Sequence, residues 1–540
     1  MKKTHTALVF LAFFLLGCVS GEKKTPATPK PEHKRPVPVA PALQPLAVTG
    51  ITPDAIDGYL AKAPMVFVPM KTIIAALPVI GKTSYTALYI SGQKMGYSFD
   101  GWKLRKTDGK TYLVANESFH MEMKRGADVK KMHWEMERIY EGWGAGVLLK
   151  TVKTEKTERE VKLTSLTRTA AGEYRYHKES ALLSNPGEGT RKTIVIKGTP
   201  ERLTRSSLAV MALVAAKPVK GHRIWKVEKF DMDSGEASSD VVTLYGPGKA
   251  TFSGRTYNGY RGSVISQKPH MAMNAFFSRE GYLLRGSVGI IEIRVVSKEE
   301  AMKVGGLFDI MLKTYFPTKI STIKPSTRQL RISFAGSFPR GLRFLNTDRY
   351  KITYGKGETF SLILSLDDVS KATNAVPPKK LAPFLKSTTE IESDHPFIRA
   401  LALKAVAGAK TRPQQVARLV AFVYKYIRKS MNHDLSSALL VAKARIGDCT
   451  EHTLLFTALA RSLGIPARQV GGIGIVSAGS GHIFGYHAWP QVWLGRWIDV
   501  DPTWGQYPAD VSHIMMGEDN DLRWIQLIGR LKILSSKVTQ

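Results

Sequence analysis

The chain has 540 residues, 43% of them hydrophobic and 23% charged, the balance of a folded protein with material for about three or four domains. Its 78 lysines and arginines against 45 acidic residues give a net charge of +33, which favours anionic partners such as lipid head groups or acidic wall polymers. These basic residues are spread along the whole chain, with no RNP, zinc-finger or helix-turn-helix pattern beside them, which argues against nucleic acid as a partner.

Lys2 and Lys3 precede an apolar run from Ala7 to Leu16, too short to span a bilayer and shaped like a secretory signal. The run ends in Leu15-Leu16-Gly17-Cys18, which resembles the bacterial lipoprotein lipobox. That resemblance marks residues 1–18 as a lipoprotein signal peptide and implies that Cys18 is lipidated and becomes the first mature residue. With Val19 following rather than Asp, it also implies an outer-membrane destination facing the periplasm. A plain signal peptide or an uncleaved anchor is the alternative. Residues 19–47 follow as a proline-rich linker, TPATPKPEHKRPVPVAPALQP at its centre, extended and unable to form a core.

From 48 to 320 the pattern predicts a β-rich region. Runs such as TSYTALYI (83–90), KTYLVANE (110–117) and KTIVIKG (192–198) are separated by turn signals, among them Asp108-Gly109 and Asn185-Pro186-Gly187. Repeated strand–turn–strand units favour antiparallel sheets in a sandwich or half-barrel. A helix is expected over Ser206–Ala216, capped by serine and stopped before Pro218. Residues 321–385 read as a small β connecting module, with LRISFAG and FSLILSL as strands. The last region, 386–540, opens with helices. Pro396 starts one, and Thr411 with Pro413 starts another, in which Val416, Leu419, Val420, Val423 and Ile427 keep helical spacing.

Asp448-Cys449-Thr450 stands where a further helix begins, since TLLFTALARSL is apolar at helical spacing and stops at Gly464 before Pro466. A cysteine on a first turn meets unpaired N–H groups and the positive end of the helix dipole. Both favour thiolate and offer part of an oxyanion hole. If Cys18 carries lipid, Cys449 has no disulfide partner, and an unpaired cysteine in an exported protein points to reactivity. Downstream, alternation in YHAWPQVWL puts His487, Trp489, Gln491 and Trp493 on one strand face. In RWIDVDPTW it puts Trp497, Asp499 and Asp501 together, and periodicity does not choose between the two aspartates. Cysteine, histidine and carboxylate are the parts of a thiol acyl-transfer site. His452, three residues after Cys449, is a rival base or a hydrogen-bonded helix residue. A metal set drawn from Cys449, His452, His487 and Asp501 matches no recognised zinc spacing, and no metal or cofactor is expected.

The stretches GDC, ALARSLGIPAR, YHAW and DPTW together resemble the transglutaminase-like superfamily, over about the last quarter of the chain. The resemblance implies a papain-like α+β domain, and the chain as a whole is expected to be α+β, mostly antiparallel β first. It assigns the orienting carboxylate to the Asp that opens DPT, hence Asp501, with Cys449 as nucleophile and His487 as base. ADVSHIM (509–515) resembles a segment that follows DPTWG in bacterial members, where Asp510 and His513 are read as structural. Many of these domains carry Glu where this chain has Gln491, a departure expected to weaken a substrate-side contact. The resulting expectation is an envelope-anchored cysteine acyltransferase or peptidase acting on protein or peptide, including peptidoglycan peptide, with hydrolysis favoured over cross-linking. The alternative is a non-catalytic envelope scaffold whose basic β region binds an anionic ligand.

Overall fold

The structure, a computed structural model, describes residues 83–539 apart from 126–127, 142–146, 197–222, 267–270, 304–315, 337–346, 431–434, 479–480, 519–530 and a few single positions. The signal and lipobox around Cys18, the linker and the expected helix at Ser206–Ala216 lie outside the described residues.

Strands with inward and outward residues in alternation account for most of the chain. In Tyr174–Leu182, for instance, Tyr174, Tyr176, Lys178, Ser180 and Leu182 are buried and the residues between them are not. Fourteen such strands, from Thr83–Ile90 to Ile291–Val296, join in one antiparallel sheet. Thr83–Ile90 and Ile291–Val296 lie side by side in the middle. From them the strands run outward, to Asn185–Ile196 at one edge and Arg223–Asp231 at the other. The turn at Asp108-Gly109 has positive φ at both residues, 51° and 71°, as a tight hairpin requires.

The sheet curls until its two ends meet. Tyr176 and Phe230 lie with ring centroids 5.9 Å apart, and Lys153 Nζ is 2.8 Å from Asp233 Oδ1. Leu113, Trp134, Tyr174, Leu244 and Met273 are buried inside the curl. Where a sandwich or a half-barrel was expected, the structure has one continuous curled sheet. The described residues are mostly β, with a large antiparallel sheet.

The helices that matter lie between Pro396 and Ser462. Thr411 caps Arg412–Tyr426 with a capping box completed by Gln414, and His395 caps Pro396–Ala405. Cys449–Ser462 is buried nearly all round, with Leu455, Phe456, Ala458, Leu459 and Ala460 at 0% exposure. It packs on the other helices and on the strands Ala467–Ala478 and Gly481–Trp493, which explains an apolar run with no polar face. Those strands pair with each other, with Ile514–Glu518 on one side and Phe316–Thr318 on the other.

The small module forms a sheet from Tyr350–Tyr354, Thr359–Ser365 and Gln329–Ala335, and its fourth strand is the chain's last, Lys532–Thr539. The curled sheet touches the helices directly: Leu182 packs in the same core as Leu435 and Leu439.

Candidate active site

Three consecutive residues set the nucleophile turn. Asp448 is the N-cap of the helix, its carboxylate accepting from Thr450 N at 2.9 Å and from the Glu451 amide. Glu451 reaches back and accepts from Asp448 N at 2.7 Å, completing a capping box, while its other oxygen accepts from Leu435 N at 3.1 Å. Gly447 comes first because a Cβ there would lie 2.3 Å from Glu451 Cβ. The amides of Asp448, Thr450 and Glu451 are thus engaged, which corrects the expectation of several unpaired N–H groups beside the cysteine. Cys449 follows the cap at 0% exposure. The structure carries it in a disulfide, and the other cysteine of the chain, Cys18, lies outside the described residues. The thiol chemistry expected of Cys449 is that of its reduced side chain.

His487 sits on the strand against which the cysteine helix packs. Its Nε2 lies 2.8 Å from Asp501 Oδ2, both side chains being buried. Trp504 stacks flat on the imidazole, centroids 4.1 Å apart and planes 4° from parallel. Space for that indole comes from Gly474 on the neighbouring strand, where a Cβ would come within 2.7 Å of it. Burial pushes the proton affinity of His487 down, with the Asp501 carboxylate opposing.

Asp501 begins a closed turn. Its backbone exchanges hydrogen bonds with Gln506 at 2.9 and 2.8 Å, and its Oδ1 accepts from Thr503 N at 2.6 Å and Trp504 N at 3.1 Å. A second imidazole, His513, brings Nε2 to 3.0 Å from Asp501 Oδ2. Burial would raise the Asp501 carboxyl, but the charges and hydrogen bonds of His487 and His513 hold it well below the usual range.

Asp499, the competing carboxylate, goes elsewhere. It lies 3.3 Å from Arg349 Nε, accepts from Trp489 Nε1 at 3.1 Å, and bonds Gln491 Nε2 and the Tyr350 hydroxyl. Gln491 is buried and accepts from Arg468 Nε at 2.8 Å. The expected substrate-side contact at Gln491 is thereby corrected to an internal one.

His452 holds Asp448 O through Nδ1 at 2.6 Å and does not bond Asp501; its Nε2 has no hydrogen-bond partner, and burial lowers its proton affinity. His487, Asp501 and His513 bring one nitrogen or oxygen each within 4.8 Å of one another. Both nitrogens are at hydrogen-bond distance from the same Asp501 oxygen, 2.8 and 3.0 Å.

Sequence reasoning did not find the roles of His513, Arg349 and Tyr350. Arg349 and Tyr350 come from the small module. Arg349 meets Asp367 at 3.1 Å and the carbonyls of Ala509 and Asp510, and the Tyr350 hydroxyl lies 3.0 Å from His513 O. They fix the segment that delivers His513. The signal available for His513 was ADVSHIM.

Residues 399–502 match the transglutaminase-like superfamily. Comparison with the curated proteins gave no match. Among solved structures, a candidate cysteine protease from Cytophaga hutchinsonii is similar at 18% identity, over 42% of this chain and 90% of that one, with a TM-score of 0.27. A candidate protease from Parabacteroides distasonis is similar at 10% identity, over 65% of this chain and 69% of that one, with a TM-score of 0.18. At these TM-scores neither likeness carries an argument about fold or activity. The segment 399–502, which holds Cys449, His487 and Asp501, is a transglutaminase-like domain within a longer, mostly β chain.

Proposed function

We propose that the protein is a cysteine acyl-transfer enzyme in which Cys449 is the nucleophile, His487 the base and Asp501 the orienting carboxylate. The observation that carries the reading is the 2.8 Å bond between His487 Nε2 and Asp501 Oδ2. A carboxylate only accepts, so Nε2 carries the proton and the lone pair of the neutral ring falls on Nδ1. In the reduced protein Nδ1 takes the Cys449 proton, and the sulfur attacks a peptide or carboxamide carbonyl. The tetrahedral intermediate expels the amine, which leaves with the proton held by His487, and a thioester remains. Water, activated by the same imidazole, then releases the acid; an amine in its place gives cross-linking. We favour water, with a protein or peptidoglycan peptide as substrate.

The N-terminal LLGC and the proline-rich stretch behind it support an enzyme tethered by lipid at Cys18 to the outer membrane and working in the periplasm.

The test is the rate of iodoacetamide alkylation of Cys449 against pH, in reduced Cys18→Ser protein and in the same protein with His487→Ala. The reading expects a plateau of reactivity extending well below the free-thiol pKa of about 8.5, lost in the variant. A single wave near that value in both proteins contradicts it.

A further inference from the structure

The mechanism above leaves His513 unused, although it lies fully buried at the centre of the site. Its Nε2 is 3.0 Å from Asp501 Oδ2. Its Nδ1 is 3.2 Å from Asp510 Oδ1 and 3.2 Å from Asp510 O. All three oxygens are acceptors, so each ring nitrogen must bring its own proton, and the ring is an imidazolium. Asp510 is itself held, accepting from Ser512 N at 2.8 Å and from Gln506 Nε2 at 2.8 Å. Arg349 grips the Asp510 carbonyl, so the cation stands on a braced support.

The other side of the clamp is the Asp501 carboxylate. Thr503 N and Trp504 N take one of its oxygens, while His513 and His487 share the other. Three of those four donors are fixed by the turn and by Asp510. The fourth, His487, therefore meets a carboxylate that cannot rotate away when the imidazole gains a proton.

We propose that His513 is a positioning residue of the Cys449 site: an imidazolium clamped between Asp510 and Asp501 that fixes the carboxylate for His487 and balances its charge. The inference rests on the acyl-transfer reading of the site. It has a geometric consequence and an electrostatic one. Without the clamp, Asp501 loses a donor on the oxygen that orients His487. Without the positive charge, His513 no longer opposes the pull of Asp501 and Asp448 on His487, which holds its proton more tightly. The structure points the same way, since Asp501 and Asp510 outweigh burial and raise His513 to about 9.

The experiment uses the full-length reduced chain with Cys18→Ser, so that Cys449 is the sole thiol. Alkylation by iodoacetamide is followed from acid to alkaline pH in this parent and with His513→Gln, His513→Ala or His487→Ala added. Folding of each is checked by circular dichroism and thermal unfolding. The Gln amide can still donate to Asp501 but carries no charge. It is expected to keep the neutral-pH rate within about threefold while the acid limb of the profile moves up by about half a unit or more. The Ala variant is expected to lose about tenfold or more.

If folded His513→Ala, or His513→Gln where the Ala variant does not fold, keeps both the rate and the profile of the parent while His487→Ala loses reactivity, the clamp is overturned and the acyl-transfer reading stands. If His487→Ala also keeps the parental profile, the reading itself falls and the clamp with it. A parental profile that changes on adding a chelator overturns the clamp as well, because the two histidines then hold a cation.

Discussion

Glu160, the first residue of a strand in the curled sheet, accepts a hydrogen bond from the backbone N–H of Ser436 at 2.9 Å and another from its hydroxyl. Leu435, the preceding residue, donates to Glu451, and Glu451 holds Asp448 N immediately before the cysteine. The sheet thereby grips the segment that grips the nucleophile turn. Removing the carboxylate with Glu160→Ala takes two acceptors from half-buried Ser436, a cost of about 1–3 kcal/mol. Hydrogen exchange across 435–451 should accelerate in this variant, and Cys449 alkylation should slow. Unchanged exchange in that stretch would show that the sheet and the site are independent.

Gly447→Ala tests the turn from the other side. The new Cβ would fall 2.3 Å from Glu451 Cβ and 2.5 Å from its Cγ, atoms at the base of a helix that is packed all round. The first turn must shift, at a cost of about 1–3 kcal/mol for overpacking. Denaturant midpoints should fall and Cys449 reactivity at neutral pH should drop with them. Wild-type stability in this variant would mean the capping box is not rigid.

Asp499 and Asp501 should separate cleanly. Asp499 offsets the charge of buried Arg349, and Asp499→Asn is expected to destabilise by about 3–5 kcal/mol or less, since Asp367 still faces the guanidinium. In the molecules that remain folded, the pH profile of Cys449 should survive. Asp501→Asn presents the wrong group to His487 and should cost acyl transfer on the order of 10⁴-fold. Chemical denaturation and alkylation on both variants check this, and the opposite pattern would exchange the two roles.

Stability should depend on pH through His513. The native state holds its proton up to about 9, against an ordinary 6.5, because Asp501 and Asp510 outweigh burial. The stabilisation is complete below about pH 6.5 and is lost as pH rises through 9, about 3 kcal/mol in all. Asp501 and Asp510, held low, contribute stability above the ordinary carboxylate range that is lost on acidification. His487, pushed down by burial, contributes stability that is likewise lost as pH falls. Denaturant midpoints should decline between pH 6.5 and 9 in the parent and stay flat there in His513→Gln.

Much of the site was legible because its parts are local. A cap residue, a cysteine and an apolar helix are contiguous, and alternation placed His487 on a strand face. Asp499 against Asp501 was not decidable by alternation because the strand Trp497–Asp499 ends at the first of them, and the second already belongs to the turn closed on Gln506. The partners of His513 escaped for a related reason. One is twelve residues back across that turn, and the support for the other comes from Arg349, about 160 residues away. Individual strands of the curled sheet were readable from turn pairs such as Asp108-Gly109. The pairing of Thr83–Ile90 with Ile291–Val296, which makes one sheet of fourteen strands, joins residues two hundred positions apart. Nor does any local pattern tell that Lys532–Thr539 returns to Gln329–Ala335.

The most direct test is intact-mass spectrometry of the reduced Cys18→Ser protein quenched at short times after mixing with p-nitrophenyl acetate. The account predicts one acetyl group on Cys449, formed faster than on a free thiol and released on standing, with both steps slowed in His487→Ala and Asp501→Asn. Acetylation spread over lysines, or a Cys449 adduct that forms at the same rate in all three proteins, would contradict it.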